Sequence, residues 1–582
     1  MIALLALCGA IFQDQTPQGT LDGIRGALAR KDKTAIRGYF RKANDSDYLF
    51  SMAEYRGGLQ NLHIAIIPSP PGWQDSGSYW ATFHTFEDIE EDHDPVYPVK
   101  QTPDGWKLGA EISESECGPA RIQSANIRVT VSPATHQVDA QVNLKLSVRG
   151  PGKALVYRLN DIYDVAEAKT CNDRQIPAPS EGDLVRAGGL LIPWTARPTR
   201  TASFKYTGTV NQRGQDHINT AECYLTAWWV PSLGRLPFRS RLDVVPVPGW
   251  VMRSESDDPG TLLRNGLVTF ENTKMPISFP KLIGGKYALA SELKDGGRTF
   301  RAWQFAPTDK KRADEECKRM AQAARFYSKQ LIPFPYNRYE CFDGHDYYGI
   351  ESYSYTLLAP SITVRYAAHE MGHTYFGGIT PCSYVHDSWN EGVTTYVDDV
   401  LTGHEVDHPL QAALTTINVK VPLTEMGPAH SFEGASYWRG AAVMKMLEHE
   451  IGLPAVLDGL RAMLKNRVGK DTRWDDLRSY FEEASSRQLG WFWNQWIDGA
   501  TFPNLKVSAI LEGKTANVTI RQSGTTKPYR LRIGLLLIGG KQRVEREVEL
   551  TSAAKTAHVT ALFKIDRVEP EIAGFALVRL AR

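Results

Sequence analysis

The sequence predicts a multidomain α+β protein, ordered as a small α+β domain, an all-β domain, a mostly helical domain and a second β-domain. Three observations carry this. The chain has 582 residues, enough for about four domains of ordinary size. Its apolar residues recur at helical spacing near the N-terminus and again from about 311 to 496, and alternate elsewhere. Its composition is that of a folded protein: 42% hydrophobic and 23% charged, with 48 Gly and 33 Pro spread without a low-complexity run. Lys+Arg is 67 and Asp+Glu is 66, for a net charge of +1. That balance excludes a basic nucleic-acid coat or an acidic disordered tail as the dominant character.

Residues 1–12 are apolar and polar sequence begins at Gln13, which reads as a short secretory signal and predicts export to a periplasmic or extracellular space. The first basic residue is Arg25 and the apolar run is short, so a plain hydrophobic start is the competing reading. Leu7 before Cys8 is too large for a lipoprotein box. No later segment has about 18 uninterrupted apolar residues, so no membrane span is expected. Cys8, Cys117, Cys171, Cys223, Cys317, Cys341 and Cys382 form no Cys-x-x-Cys pair, which argues against a cysteine zinc site or redox motif. Disulfides and buried free thiols both stay open.

Within 20–115 a helical stretch, Leu21 to Tyr39, precedes strand-like runs at Leu62–Ile67, Tyr79–Phe83 and Val96–Gly109, with turn clusters between them. This order resembles the cystatin or nuclear-transport-factor-like folds. From 120 to 303 short alternating strands predict an all-β domain, as in Ile127–Val131, Val138–Leu144 and Leu242–Val247. From 304 to 500 the period turns helical, with one helix from Glu315 to Leu331 before Pro333. From 503 to 582 alternation returns at Leu505–Ile510 and Tyr529–Leu535, predicting a β-sandwich.

The informative string is His369-Glu370-Met371-Gly372-His373. Histidines at i and i+4 lie on one helix face, one turn apart, where both imidazoles can reach one Zn²⁺. Glu370 beside them can take a proton from a metal-activated water. A surface helix carrying two histidines is the competing reading. Zinc needs a third protein ligand and an open position, and the next candidate is Glu391 in Ser388-Trp-Asn-Glu-Gly-Val. Asp387 or Ser388 can cap a helix there. Asp398 then lies seven residues on, on the same face as Glu391, either bonding the far nitrogen of a ligand histidine or simply solvated.

With these residues in place the chain resembles the gluzincin zinc aminopeptidases of the aminopeptidase N and leukotriene-hydrolase type, over about 120 to 582. Four segments carry the resemblance: His369–His373 with Asn390-Glu-Gly392; Gly349-Ile-Glu-Ser352, similar to the family's Gly-x-Met-Glu-Asn; Ser436-Tyr-Trp-Arg-Gly440 opening a helix to Ile451, similar to Tyr-Glu-Lys-Gly; and Trp474-Asp-Asp-Leu477 through Trp491–Trp496 to Pro503. Seventeen residues separate His373 from Glu391, one fewer than in the family, and Gly-Ile-Glu-Ser lacks the Met and Asn.

The resemblance implies a thermolysin-like catalytic domain at 304–500. It also implies one Zn²⁺ held by His369, His373 and Glu391, with Glu370 as general base and Tyr437 as oxyanion donor. Gly349 and Glu351 would bind substrate, Glu351 through the free α-amine, with Glu222 as a second amine contact or else a surface acid. The implied activity is hydrolysis of the first peptide bond of peptides with a free N-terminus. A zinc endopeptidase, another zinc hydrolase and a non-catalytic peptide-binding protein are the alternatives. Nucleic acid is not an expected partner.

Overall fold

The computed structural model describes residues 16–41, 62–68, 79–85, 96–109, 120–148, 154–159, 162–170, 189–193, 201–211, 216–226, 229–233, 237–277, 280–344, 349–382, 387–403, 413, 420–426, 434–571 and 576–580. The apolar start at 1–12, Cys8, Cys117 and Cys171 lie outside them. The chain divides into two compact units, Met1–Ala288 and Leu289–Arg582.

In the first unit the predicted N-terminal helix is two. Helix α1, Pro17–Ala29, starts where Thr16 accepts a bond from Gly19 N and Pro17 presets the first turn. It stops because Lys31 turns into the left-handed region (φ 53°) and Asp32 caps α2, Lys33–Gly38. A four-stranded antiparallel sheet follows, ordered Leu62–Pro68, Tyr79–Thr85, Val96–Thr102, Gly105–Leu108. Leu21, Ile24 and Leu28, at helical spacing, join Tyr97, Val99 and Leu108 in one core.

The rest of this unit is β. A seven-stranded sheet is centred on Ala120–Ser132, paired antiparallel with Gln137–Val148 and parallel with Phe238–Val245. Burial alternates residue by residue along Thr201–Thr209, as a half-buried strand requires. A four-stranded sheet holds His217–Ile218, Glu222–Leu225, Leu282–Gly285 and Val251–Ser254.

The second unit opens with a five-stranded mixed sheet, ordered Ala288–Asp295, Arg298–Gln304, Arg338–Asp343, Tyr355–Leu358, Gly349–Glu351. The first two strands read as part of the all-β region in the sequence, because alternation cannot say which sheet a strand joins. Helix α3, Lys310–Gln330, connects two parallel strands of this sheet and buries Ala313, Cys317, Met320, Ala324 and Tyr327. Its last carbonyls, Gln330 O and Leu331 O just beyond, accept from Arg461.

Then come α4 (Tyr366–Gly372), α5 (Trp389–Thr402), a π-helical turn (Ala435–Arg439), α6 (Gly440–Ile451), α7 (Leu453–Asn466), α8 (Trp474–Ser485) and α9 (Gly490–Trp496). The sequence placed a plain helix from Ser436; the chain instead makes a π turn before the α-helix begins at Gly440. Two sheets follow. One is ordered Ala554–Thr560, Thr515–Ser523, Asn504–Glu512, Arg579–Leu580, the other Gln542–Leu550, Leu531–Gly539, Arg567–Glu571. Leu505, Val518 and Ile520 of the first and Ile533, Leu535 and Leu537 of the second are buried. Gln495 of α9 exchanges two hydrogen bonds with the Arg530 backbone, and buried Glu450 of α6 accepts from Arg487 and pairs with Arg532.

Cys223, Cys317, Cys341 and Cys382 are buried free thiols. Among the described residues no helix is long and apolar enough to cross a membrane.

Two features of this helical region carry predictions. Helices α5 and α6 cross at Gly392 and Gly440, where a Cβ on either would lie 2.7 Å from the other's Cα. Backbone cannot yield as a flexible side chain does, so Gly392→Ala should cost about 1–3 kcal/mol in urea unfolding, and an unchanged midpoint would refute this crossing. Asp387 ties the starts of α5 and α8 by accepting from Trp389 N and Trp474 N. Burial nevertheless pushes its carboxyl from 3.8 up to about 8. Between those values the folded chain keeps a proton that the unfolded chain releases, so this group's contribution falls as pH rises. Thermal melts of wild type and Asp387→Asn should therefore show the wild-type advantage shrinking from pH 5 to pH 8.5; a constant gap would contradict the shift.

Candidate metal centre

Helix α4 is short and almost wholly buried. Its neighbours hold it: Tyr327 of α3 donates to Ala368 O, and Gly372 gives room where a Cβ would meet Thr394 of α5 at 2.8 Å and the Tyr327 hydroxyl at 2.9 Å. His369 and Glu370 lie in its last turn and His373 is the residue that caps it. The chain then reverses through Gly377, whose φ of 125° a side chain would oppose, and Gly378 N returns to His373 O. After this reversal α5 begins, with Glu391 in its first turn.

The two segments bring three donors together. His369 Nε2 and His373 Nε2 are 3.2 Å apart. Glu391 Oε2 is 3.4 Å from His373 Nε2 and 3.8 Å from His369 Nε2. All three side chains are buried, at 6%, 1% and 2% exposure. Donors bound at about 2.0–2.1 Å in a tetrahedral site sit about 3.3–3.4 Å apart, so these atoms approximate one face of such a site. The donor set, two imidazoles and a carboxylate, suits zinc. The shortened spacing before Glu391 does not prevent convergence.

The electrostatics point the same way. Burial by itself would lower the His373 pKa, but the Glu391 carboxylate outweighs it and raises it to about 10. Burial would raise that of Glu391, yet the facing imidazoles hold it well below the carboxylate range. Positive charge is thus drawn to the point the three donors share. His373 Nδ1 faces Phe376 O at 3.2 Å, with Thr394 Oγ1 and Asn390 Nδ2 beside it. A proton on Nδ1 given to that carbonyl leaves the Nε2 lone pair directed at the centre.

Glu370, Glu351 and His373 also lie together, with one ligating atom of each within 4.8 Å of the others. Burial pushes the Glu370 carboxyl up to about 7. Gly349, in the edge strand Gly349–Glu351, makes space for it: a Cβ there would stand 2.3 Å from Glu370 Oε1. Tyr437, in the π turn, is half-buried, and its ring stacks on that of His369 at 6.5 Å and 27°. The turn is tied to the start of α5 by Ser388 Oγ donating to Ser436 Oγ at 2.8 Å.

Asp398 is buried rather than solvated. Its carboxyl is raised, chiefly by burial, with His369 the largest opposing charge, but among the described residues no hydrogen bond joins it to a histidine. Glu222 belongs to the first unit and is not a surface acid: it is 1% exposed, with Oε1 3.2 Å from His217 Nε2. The sequence offered no signal for that pairing, which depends on a tight turn between two short strands. His386, His404, His408 and His430 lie outside the described residues, and His449 pairs with Glu547. From the sequence Asn390 and Thr394 carry no role of their own, although at i and i+4 they share one face of α5.

The clearance at Gly349 is testable. Gly349→Ala should displace the Glu370 carboxyl and cut turnover by roughly 10²-fold while leaving metal content unchanged. Full activity would mean that the close approach has no functional weight.

Residues 357–496 match the peptidase family M1 domain. The chain is similar to an aminopeptidase N of Streptomyces lividans, 25% identical over 211 residues, covering 31% of this chain and 25% of that protein. It is similar to a glutamyl aminopeptidase of Bitis rhinoceros, 27% identical over 163 residues, covering 24% and 16%. It is also similar to an aminopeptidase M1 of Arabidopsis thaliana, 25% identical over 202 residues, covering 29% and 22%. The chain thus spans a quarter or less of the length of these curated relatives. The matched segment contains both histidines, the glutamate between them, Glu391 and Tyr437, so the likeness to peptidase family M1 rests on the part of the chain that carries the metal centre.

Proposed function

We propose that the protein is a zinc-dependent aminopeptidase. The observation that carries the reading is the convergence of His369, His373 and Glu391 on one buried point, with Glu370 and Glu351 beside it. Zinc held by those three residues would supply Lewis acidity toward a water and the scissile carbonyl. Glu370, whose raised pKa lets it both accept and return a proton near neutrality, takes the proton of the attacking water and delivers it to the leaving amine. Tyr437 donates a hydrogen bond to the developing oxyanion. Glu351 pairs with the substrate's α-ammonium, so that only the first peptide bond reaches the centre. Gly349 keeps the space next to Glu370 open, and Asp398 contributes negative charge near His369. The substrates are peptides with a free N-terminus.

The domain reading belongs to the same proposal. Residues 304–500 are the thermolysin-like catalytic domain, 120–303 the β-rich domain before it and 503–582 a C-terminal β-sandwich. Residues 20–115 are a separate cystatin-like or nuclear-transport-factor-like module. The apolar start directs export.

The test is product analysis by mass spectrometry. Zinc-loaded protein is given a peptide mixture, free and N-acetylated, alongside Glu370→Gln and Glu391→Ala. Stepwise loss of single residues from free N-termini alone is expected. Glu370→Gln should lower the rate by about 10²–10⁴-fold with one zinc retained, and Glu391→Ala should lose the zinc. Internal cleavage of both peptide forms would make the protein an endopeptidase and remove the role of Glu351. No cleavage by the zinc-bound protein would overturn the peptidase reading.

A further inference from the structure

The strand Asn504–Glu512 lies near the margin of its sheet. One edge pairs over the whole strand with Thr515–Ser523. On the other edge the short strand Arg579–Leu580 reaches only Asn504 and Leu505. From Lys506 to Glu512 the outer edge has no strand partner among the described residues. This stretch is extended and apolar in its middle, with Ile510 68% and Leu511 38% exposed. A flat apolar edge with unsatisfied backbone groups is a template for another strand.

We propose that this edge joins two copies of the chain, paired antiparallel about a two-fold axis through Ala509. The segment is self-complementary in that register. Lys506 falls opposite Glu512 of the second copy, Val507 opposite Leu511, Ser508 opposite Ile510, and Ala509 opposite itself. Directly opposed residues share a face, so the apolar Val507 and Leu511 meet on one side and the opposite charges meet on the other. A parallel arrangement would set Lys506 against Lys506 and Glu512 against Glu512.

The ends fit as well. The free stretch is bounded at one end by Leu505, which Arg579–Leu580 covers, and at the other by Gly513, whose φ of 67° starts the turn. Antiparallel pairing places each covered end opposite the other copy's turn. Lys506 and Glu512 take part in no ion pair among the described residues and are exposed. A closed two-fold contact uses the same surface on both copies, which ends assembly at the dimer. This inference does not rest on the proposed activity.

Sedimentation of the full chain over a concentration series tests it, with thermal melts confirming that each variant is folded. A dimer is expected. Lys506→Glu and Glu512→Lys should each raise the dissociation constant roughly tenfold, because each reversal turns two attractive pairs into two repulsive ones. The double reversal should restore association to near the wild-type value. A wild type that stays monomeric at about 100 µM overturns the pairing and leaves the edge to an extended segment of another protein. A dimer indifferent to the single reversals, or not rescued by the double one, overturns it too.

Discussion

Two imidazole nitrogens 3.2 Å apart, with a carboxylate oxygen 3.4 Å from one of them and all three out of water, make a demand that the surrounding helices must meet. Lone pairs brought so close in a low-dielectric place repel, unless positive charge sits between them. A divalent cation answers that demand, and the shifts at His373 and Glu391 are the protein's side of the same field. Helix α4 is too short to be stable by its own hydrogen bonds, so the ligand geometry depends on packing. Tyr327 of α3, Thr394 of α5 and the Phe376 carbonyl provide it.

Close approach is the second requirement, and missing side chains meet it. Gly372 lets α4 settle against α3 and α5, Gly392 and Gly440 let α5 and α6 cross backbone to backbone, and Gly349 leaves the Glu370 carboxyl its space. The α5–α6 crossing matters for chemistry because Glu391 precedes Gly392 and the π turn with Tyr437 precedes Gly440. One contact therefore sets how far a metal-ligand candidate lies from an oxyanion-donor candidate. A π turn, with its extra residue per turn, also redirects the side chains it carries, as such turns do at functional sites.

Away from the centre, several buried carboxylates are paired with cations. Glu340 accepts from Trp303 and Arg338, Glu316 from Arg312, and Glu450 gathers Arg487 and Arg532 where the helices meet the C-terminal sheets. Such pairs do little for stability beyond what well-packed apolar residues would do, but an uncompensated member would be costly. They fix partners and register. Near the centre, Glu351, Glu370 and His373 each place one ligating atom within 4.8 Å of the others.

Much of the fold could be read in the residue pattern, because burial imposes a period of two on strands and 3.6 on helices wherever they occur. The alternating runs at 127–131, 138–144 and 505–510 fall inside strands, and the helical run before Pro333 is α3. The break at Lys31 and the π turn at 435–439 were not legible, since a local φ reversal or one extra residue per turn leaves the period almost unchanged. The sequence by itself determined the identity and helical spacing of His369, Glu370 and His373, because an i, i+4 pair is a local property of one helix. Only the tertiary structure decided that Glu391 meets them, that Asp398 and Glu222 are buried, and that Gly349 clears Glu370. Each of those depends on distant backbone segments packing to within a few ångströms, and no local pattern encodes that distance.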